Sequence, residues 1–189
     1  MSKHSFIGGD NSGVLNFGSV GDSIINVSGD GNVVNAEASQ KAEALIKSIR
    51  GNLKHFPANQ REDAEEDLEH LEKELDKSLE KQRPRQIKRY IRSLLAACGA
   101  AVAFVVPGLE QSSEMVTFLK AMSAESVEIV ENYQALQQVF KRVEDNPEVI
   151  EILSTRGSYP MFKSILEASE QVHDLANVLE LSQVSTFED

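Results

Sequence analysis

The side chains that most often carry catalysis or bind metals are sparse in this chain and spread apart. The four histidines are isolated, and none has a second histidine four residues away to form a metal-binding pair on a helix: His4, His55, His70 and His173. The chain also lacks a Gly-x-x-x-x-Gly-Lys phosphate loop, a His-Glu-x-x-His zinc motif and a Gly-x-Ser-x-Gly nucleophile turn. We therefore predict that the protein is not an enzyme and has no catalytic, metal-binding or cofactor-binding residues.

The single cysteine and the many carboxylates do not change this prediction. Cys98 lies in an apolar run, where a small buried residue is expected, and one cysteine forms neither an internal disulfide nor a zinc pair. Carboxylate pairs are frequent between Glu62 and Glu80, but a charge run on a helix is typical of a solvated face. Gly-Gly-Asp at residues 8–10 begins like a calcium-binding β-roll repeat, yet the later copies lack the paired glycines, so no calcium site is expected.

Six positive charges within twelve residues form a candidate basic patch: Lys81, Arg83, Arg85, Lys88, Arg89 and Arg92. The patch precedes seventeen uncharged residues, Ser93 to Leu109, and a basic flank before an apolar run is typical of a membrane segment. That length is at the lower limit for a span, and Ala, Gly and Pro make the run only mildly apolar. We therefore favour a central helix buried on all sides, with the arginines neutralising the acidic helix before it. Insertion of the 85–109 helix into a membrane is the alternative.

The net charge disfavours anionic partners. The chain carries 30 acidic and 19 basic residues, a formal charge of −11, which repels nucleic acid and anionic membranes at long range. Tyr90 is the one aromatic residue within the basic patch, which weakens the case for nucleic-acid binding further. The first residues lack the apolar stretch of a secretory signal, so we expect a cytoplasmic protein.

Residues 1–36 differ in composition from the rest of the chain. Seven of the eleven glycines precede residue 36, and short apolar pairs followed by Asn recur at intervals of ten and nine residues. The repeat units are Val14, Leu15, Asn16 and Phe17; Ile24, Ile25, Asn26 and Val27; and Asn32, Val33, Val34 and Asn35. Each unit predicts a short strand that ends in a tight turn.

Three such strands are too few to bury a sheet face alone, and their backbone groups need partners. Asparagines at equivalent positions favour pairing between identical chains, because stacked Asn side chains form hydrogen-bonded ladders. The segment contains no proline and few charges, the residues that usually protect strand edges against pairing with other chains. We therefore predict that the segment assembles copies of the chain into an intertwined β-helix, as a trimer or a filament. A flexible leader is the alternative.

From Ala36 onward the pattern is helical. Apolar residues at 3–4 spacing predict helices over about 36–54, from an Asn59 cap towards Pro84, and from Arg85 to Pro107. Further helices are predicted over 110–122, 124–144, 147–153 and 160–181, with Ser123 and Asn146 as N-caps. The predicted fold is mainly α: a helical bundle (37–189) with a short β-solenoid-like oligomerisation segment (1–36). Within the bundle we expect a helical hairpin over 37–83 and a helical unit with an apolar central helix over 85–182.

The stretch from Gly21 to Asn35, followed by an acidic helical hairpin and an Ala/Gly-rich helix, resembles small modules associated with bacterial conflict systems. It is similar to the Gly/Asn-rich β-solenoid amyloid motifs of NLR-type immune signalling in fungi and bacteria. The resemblance covers residues 8–36 and, more loosely, 37–106. It implies self-templating assembly that recruits or activates a protein effector, and it supplies no catalytic residues.

These observations together predict a homo-oligomeric adaptor or scaffold that assembles through its N-terminal repeats and presents a helical surface. Two alternatives remain at this point. One is a membrane-active effector that inserts the 85–109 helix after assembly. The other is a subunit of an enzyme complex that has no recognisable site of its own.

Overall fold

The computed structural model describes residues 36–75, 77, 81 and 83–179, and this part of the chain is mainly helical, as predicted. Its helices are α1 (Ala36–Leu53), α2 (Ala58–Leu75), α3 (Pro84–Val105), α4 (Ser113–Ser123), α5 (Ile129–Glu144), α6 (Pro147–Thr155) and α7 (Tyr159–Val178). A short 3-10 turn, Leu109–Gln111, separates α3 from α4. The predicted β-repeat and its twelve oligomerisation residues lie outside the described residues.

Local capping chemistry explains several helix boundaries. Asn146 begins α6 as predicted, because its side chain accepts hydrogen bonds from the backbone N–H groups of Glu148 and Val149. Two other predicted caps are wrong. Asn59 lies inside α2, and Ser123 is the last residue of α4. The cap of α4 is Ser112, whose side chain accepts from Met115 N, since the 3-10 turn delays the start of this helix.

The central helix is α3, which packs against α2, α4, α5 and α7. Two contacts show that α2 runs antiparallel to it: Ser93 donates a hydrogen bond to Asp67, and Tyr90 stacks on His70 at 5.7 Å between ring centroids. Residue numbers increase along α3 in the direction in which they decrease along α2. A residue of α3 therefore lies beside the residue of α2 for which the two numbers sum to about 160.

Helix α4 also runs antiparallel to α3 and packs very closely on it. Phe118 lies against Gly99, and Arg92 donates to the backbone carbonyl of Ala124 at 2.7 Å. Gly99 is buried where the helices approach, and a side chain at this position would overlap the Phe118 ring. The absence of a Cβ therefore sets the distance between α3 and α4.

The first and last described helices are neighbours. α1 packs most extensively on α7, and Asn52 donates a hydrogen bond to Gln171 at 3.0 Å. Contacts of α1 with α2 are fewer, and an ion pair between Arg50 and Glu72 joins these two consecutive helices of the predicted 37–83 hairpin. Residues from all seven helices contribute to one hydrophobic core, in which α7 packs on α1.

The prediction that α3 is buried on all sides is wrong. Eight of its residues are buried, but Ala100 and Phe104 are exposed because α2 and α4 leave its outward side uncovered. In the part of the chain that the structure describes, no helix is both long enough and apolar enough to cross a membrane.

Candidate interaction surface

Among the residues that the structure describes, Phe104 is the most exposed large apolar side chain. Its exposed fraction is 70%, whereas Leu119 and Val116 on α4 are exposed by 55% and 40%. Ile152 on α6 is also exposed, by 42%, whereas Phe118 and Phe162 are fully inaccessible. Single exposed apolar residues are common on proteins, but several in one place indicate a contact surface.

Helical geometry places these side chains together. On α3, Ala96, Ala100, Ala103 and Phe104 follow one another at spacings of four, three and one, and all are at least partly exposed. On α4, Glu114 pairs with Arg142 and so marks the flank of the helix that faces α5. Leu119 lies on the opposite flank, beside the outward side of α3. We call these six residues the α3–α4 apolar surface: Ala96, Ala100, Ala103, Phe104, Val116 and Leu119.

Charged residues of opposite sign border this surface on its two sides. Asp63 on α2 and Lys120 on α4 are both exposed. The antiparallel register of α2 with α3 places Asp63 at the level of Ala97. The register of α4, set by the contacts of Gly99 with Phe118 and of Arg92 with Ala124, places Lys120 at the same level. An acidic edge and a basic edge therefore lie opposite each other across the α3–α4 apolar surface.

The predicted basic patch is divided by the tertiary structure. Arg92 donates hydrogen bonds to the carbonyl groups of Met122, Ala124 and Glu125, where it satisfies the C-terminal end of α4. Lys88 forms an ion pair with Glu128 at 3.9 Å. The other exposed members of the patch are Lys81, Arg83, Arg85 and Arg89. At least two of the six cations therefore serve the fold.

Arg83 serves the connection between α2 and α3. Its backbone N–H donates to Glu74 Oε1 at 2.8 Å and its Nη2 to Oε2 at 3.1 Å, and Lys77 pairs with the same carboxylate. Glu74 is 2% exposed, and its hydrogen bonds to Arg83 hold the pKa of this carboxyl at about 2, against a usual 4.5. One buried carboxylate of the acidic second helix is thus neutralised by residues that follow the helix.

A second candidate binding feature is a groove between α5 and α7. Tyr133 stacks on His173 with ring centroids 4.0 Å apart, and Phe140 packs on Phe162, so the two helices run antiparallel. The groove encloses about 350 Å³ and continues from Tyr133 to Glu144, with Glu170 on its other wall. Polar side chains such as Gln137 and Lys141 line the groove, which is open to solvent.

Burial governs the titration of this groove. It raises the pKa of Glu170 and of Tyr133, and it lowers the pKa of His173, so the neutral form of each group is favoured. Neighbouring carboxylates reinforce the shifts of Glu170 and Tyr133, although the charge of Lys163 opposes the shift of Glu170. Asp174 opposes the shift of His173. Among the described residues, no group of three His, Cys, Asp or Glu side chains is arranged to hold a metal ion.

Cys98 lies in the core, as expected from its apolar surroundings. It is 1% exposed, and burial raises the pKa of its thiol to about 12. The thiolate is the reactive form of cysteine, so this side chain behaves as a small apolar residue.

Sequence reasoning did not single out the residues of the α3–α4 apolar surface. Phe104 stands in an apolar run, where it was expected to be buried with its neighbours. A signal was nevertheless present, because Ala96, Ala100 and Ala103 lie on one side of the helix and their small side chains contribute little to a core. The exposed side becomes apparent only when the neighbouring helices are in place.

Comparison of this chain with protein-family models, with curated proteins and with solved structures gives no match.

Proposed function

We propose that the protein is a non-enzymatic homo-oligomeric scaffold. Its N-terminal repeats, residues 1–36, join copies of the chain, and the helical body presents a helical interaction surface. The observation that carries the proposal is Phe104, exposed by 70% near the C-terminal end of α3 and outside the hydrophobic core. Apolar surface kept out of the core costs free energy, which is recovered when a protein covers it.

The sequence of the N-terminal segment supports the assembly half of this proposal. Its apolar residues and asparagines repeat at nearly equal intervals, as expected for strands that pair between identical chains. The resemblance to β-solenoid motifs of NLR-type immune signalling supports an adaptor whose assembly gathers or activates a protein effector. A role in bacterial defence signalling is part of this proposal.

The assembly half is tested by measuring molar mass. Sedimentation velocity of the full chain should give an oligomer or filament, and a chain lacking residues 1–35 should sediment as a monomer. Far-ultraviolet circular dichroism of the shortened chain provides the control, since its helical content must remain that of a folded bundle. An unchanged mass after truncation would refute assembly through the repeats.

A point substitution gives a sharper version of the same test. Ile25→Lys places a charge within the second repeat unit, where paired strands leave little room for it. Ser5→Lys adds the same charge before the first unit and serves as the matched control. We expect the first variant to reduce the oligomer mass and the second to leave it unchanged. Equal masses for the two variants would count against the repeats as the assembly element.

A further inference from the structure

We propose that the α3–α4 apolar surface is covered by a second copy of this chain, in a twofold contact that packs α3 on α3. The contact rests on the proposed function, because assembled repeats raise the effective concentration of the helical bodies and so increase its occupancy. The extent of the surface, the size of its side chains and the charges on its two edges favour a second copy as the occupant.

The extent of the surface favours a tethered occupant. Six residues, three of them alanines, present on the order of 400 Å² of apolar area, the size of the largest patch on many monomers. A stable interface between free proteins buries about 800 Å² on each partner. A copy held by the assembled repeats needs less, because tethering raises its effective concentration to about the millimolar range.

The side chains of the surface suit a helix as the occupant. Ala96, Ala100 and Ala103 form a shallow strip that lets another helix backbone approach closely, and Phe104 and Leu119 border it as larger projections. The surface is therefore shallow along the alanine strip and higher at the bordering apolar side chains. In a contact of two copies, the Phe104 side chain of each copy can pack against the alanine strip of the other.

The charges on the two edges select the direction of packing. A twofold axis parallel to α3 places the α2 edge of one copy opposite the α4 edge of the other. Asp63 then faces Lys120 twice, because both residues lie at the level of Ala97. The antiparallel arrangement would instead place each charge opposite its own kind, which is unfavourable. Parallel packing also keeps equivalent ends of the two helical bodies side by side.

Disulfide formation in the full chain tests this contact. Ala100→Cys introduces an exposed thiol in the middle of the strip, whereas the native Cys98 is buried and does not compete. The matched control is Ser154→Cys, an exposed helical position on α6. Under mild oxidation we expect the Ala100→Cys chain to form covalent dimers at least about tenfold faster than the control. Equal rates for the two variants would overturn the contact.

Charge reversal provides the second arm, measured in the Ala100→Cys background. Asp63→Lys or Lys120→Asp alone should slow disulfide formation, and the two together should restore it, because the pair is rebuilt with reversed sign. Phe104→Lys should also slow the reaction, without changing the oligomer mass. A double reversal that reacts as slowly as the single reversals would overturn the proposed direction of packing.

The two readouts separate this inference from the proposed function. Oligomer mass reports assembly through residues 1–36, and the disulfide rate reports the contact between helical bodies. An oligomer in which Ala100→Cys reacts no faster than Ser154→Cys refutes the contact and retains the scaffold. A monomeric full chain in which Ala100→Cys still reacts faster refutes assembly through the repeats and supports the contact.

Discussion

Gly99→Ala is the substitution for which the structure makes its strongest prediction. A Cβ at this position would overlap Phe118 Cε1 and lie 2.7 Å from Cζ, whereas carbon atoms prefer separations of about 3.5–4.0 Å. Phe118 is fully buried, so its ring cannot move without displacing other core residues. Relief of the overlap requires α4 to move away from α3 or the ring to leave its rotamer.

The size of the effect follows from two opposing terms. Alanine is favoured over glycine inside a helix by about 1 kcal/mol. Overpacking a core costs about 1–3 kcal/mol, and the closeness of this overlap places Gly99→Ala at the upper end of that range. We therefore expect the substitution to lower the free energy of unfolding by about 2 kcal/mol. Urea unfolding followed by circular dichroism at 222 nm measures this difference.

Gly51 on α1 supplies a matched control. A Cβ there meets no atom within 4 Å, so Gly51→Ala should raise the free energy of unfolding by up to about 1 kcal/mol through helix propensity alone. A second check combines Gly99→Ala with Phe118→Leu, which removes the ring that causes the overlap. The loss caused by Gly99→Ala should be smaller in this background, with a coupling of about 1 kcal/mol. If both glycine variants stabilise the protein equally, the close approach of α3 and α4 is refuted.

Three further predictions concern buried or paired side chains. Glu74→Gln should lower the free energy of unfolding by about 2 kcal/mol at pH 7, less than the full pKa shift implies because its partner Arg83 is 60% exposed. The difference should disappear as the pH falls from about 5 to about 2, since the native pKa of about 2 lies below the unfolded value of 4.5; a difference independent of pH in urea titrations would contradict it. Arg92→Ala should cost about 1–2 kcal/mol through the uncapped end of α4, whereas the control Arg89→Ala should change stability by less than about 0.5 kcal/mol, and equal losses would argue against capping. Cys98 should react with a disulfide reagent about 100-fold more slowly in the native protein than in urea, and rapid native labelling would exclude its burial.

Much of the helical body follows from local patterns. Apolar residues at 3–4 spacing predicted the seven helices in order, and Pro57, Pro147 and Pro160 marked positions near their boundaries. The predicted N-caps of two helices were wrong. Asn59 has the chemistry of a cap, but the helix begins at Ala58, and the 3-10 turn before Ser112 was not apparent from residue types.

The arrangement of the helices was beyond the reach of these patterns. Every amphipathic helix presents one apolar face, and periodicity does not state which other face covers it. The sequence therefore predicted a hairpin of α1 with α2, but not the more extensive packing of α1 on α7. The same limit applies to the candidate surface, because the exposure of Phe104 depends on where α2 and α4 end their coverage of α3.

The sequence by itself determined that the body is helical, that Cys98 belongs in a core and that residues 1–36 form a compositionally separate, repetitive segment. These conclusions depend on spacing and residue type over a few turns of chain, which is the range over which backbone preferences act. The tertiary structure decided which cations are bound by neighbours, as Arg83 and Arg92 are. It also decided which side of α3 remains exposed. Both outcomes depend on residues far apart in the chain, whose approach is set by close packing such as that of Phe118 on Gly99.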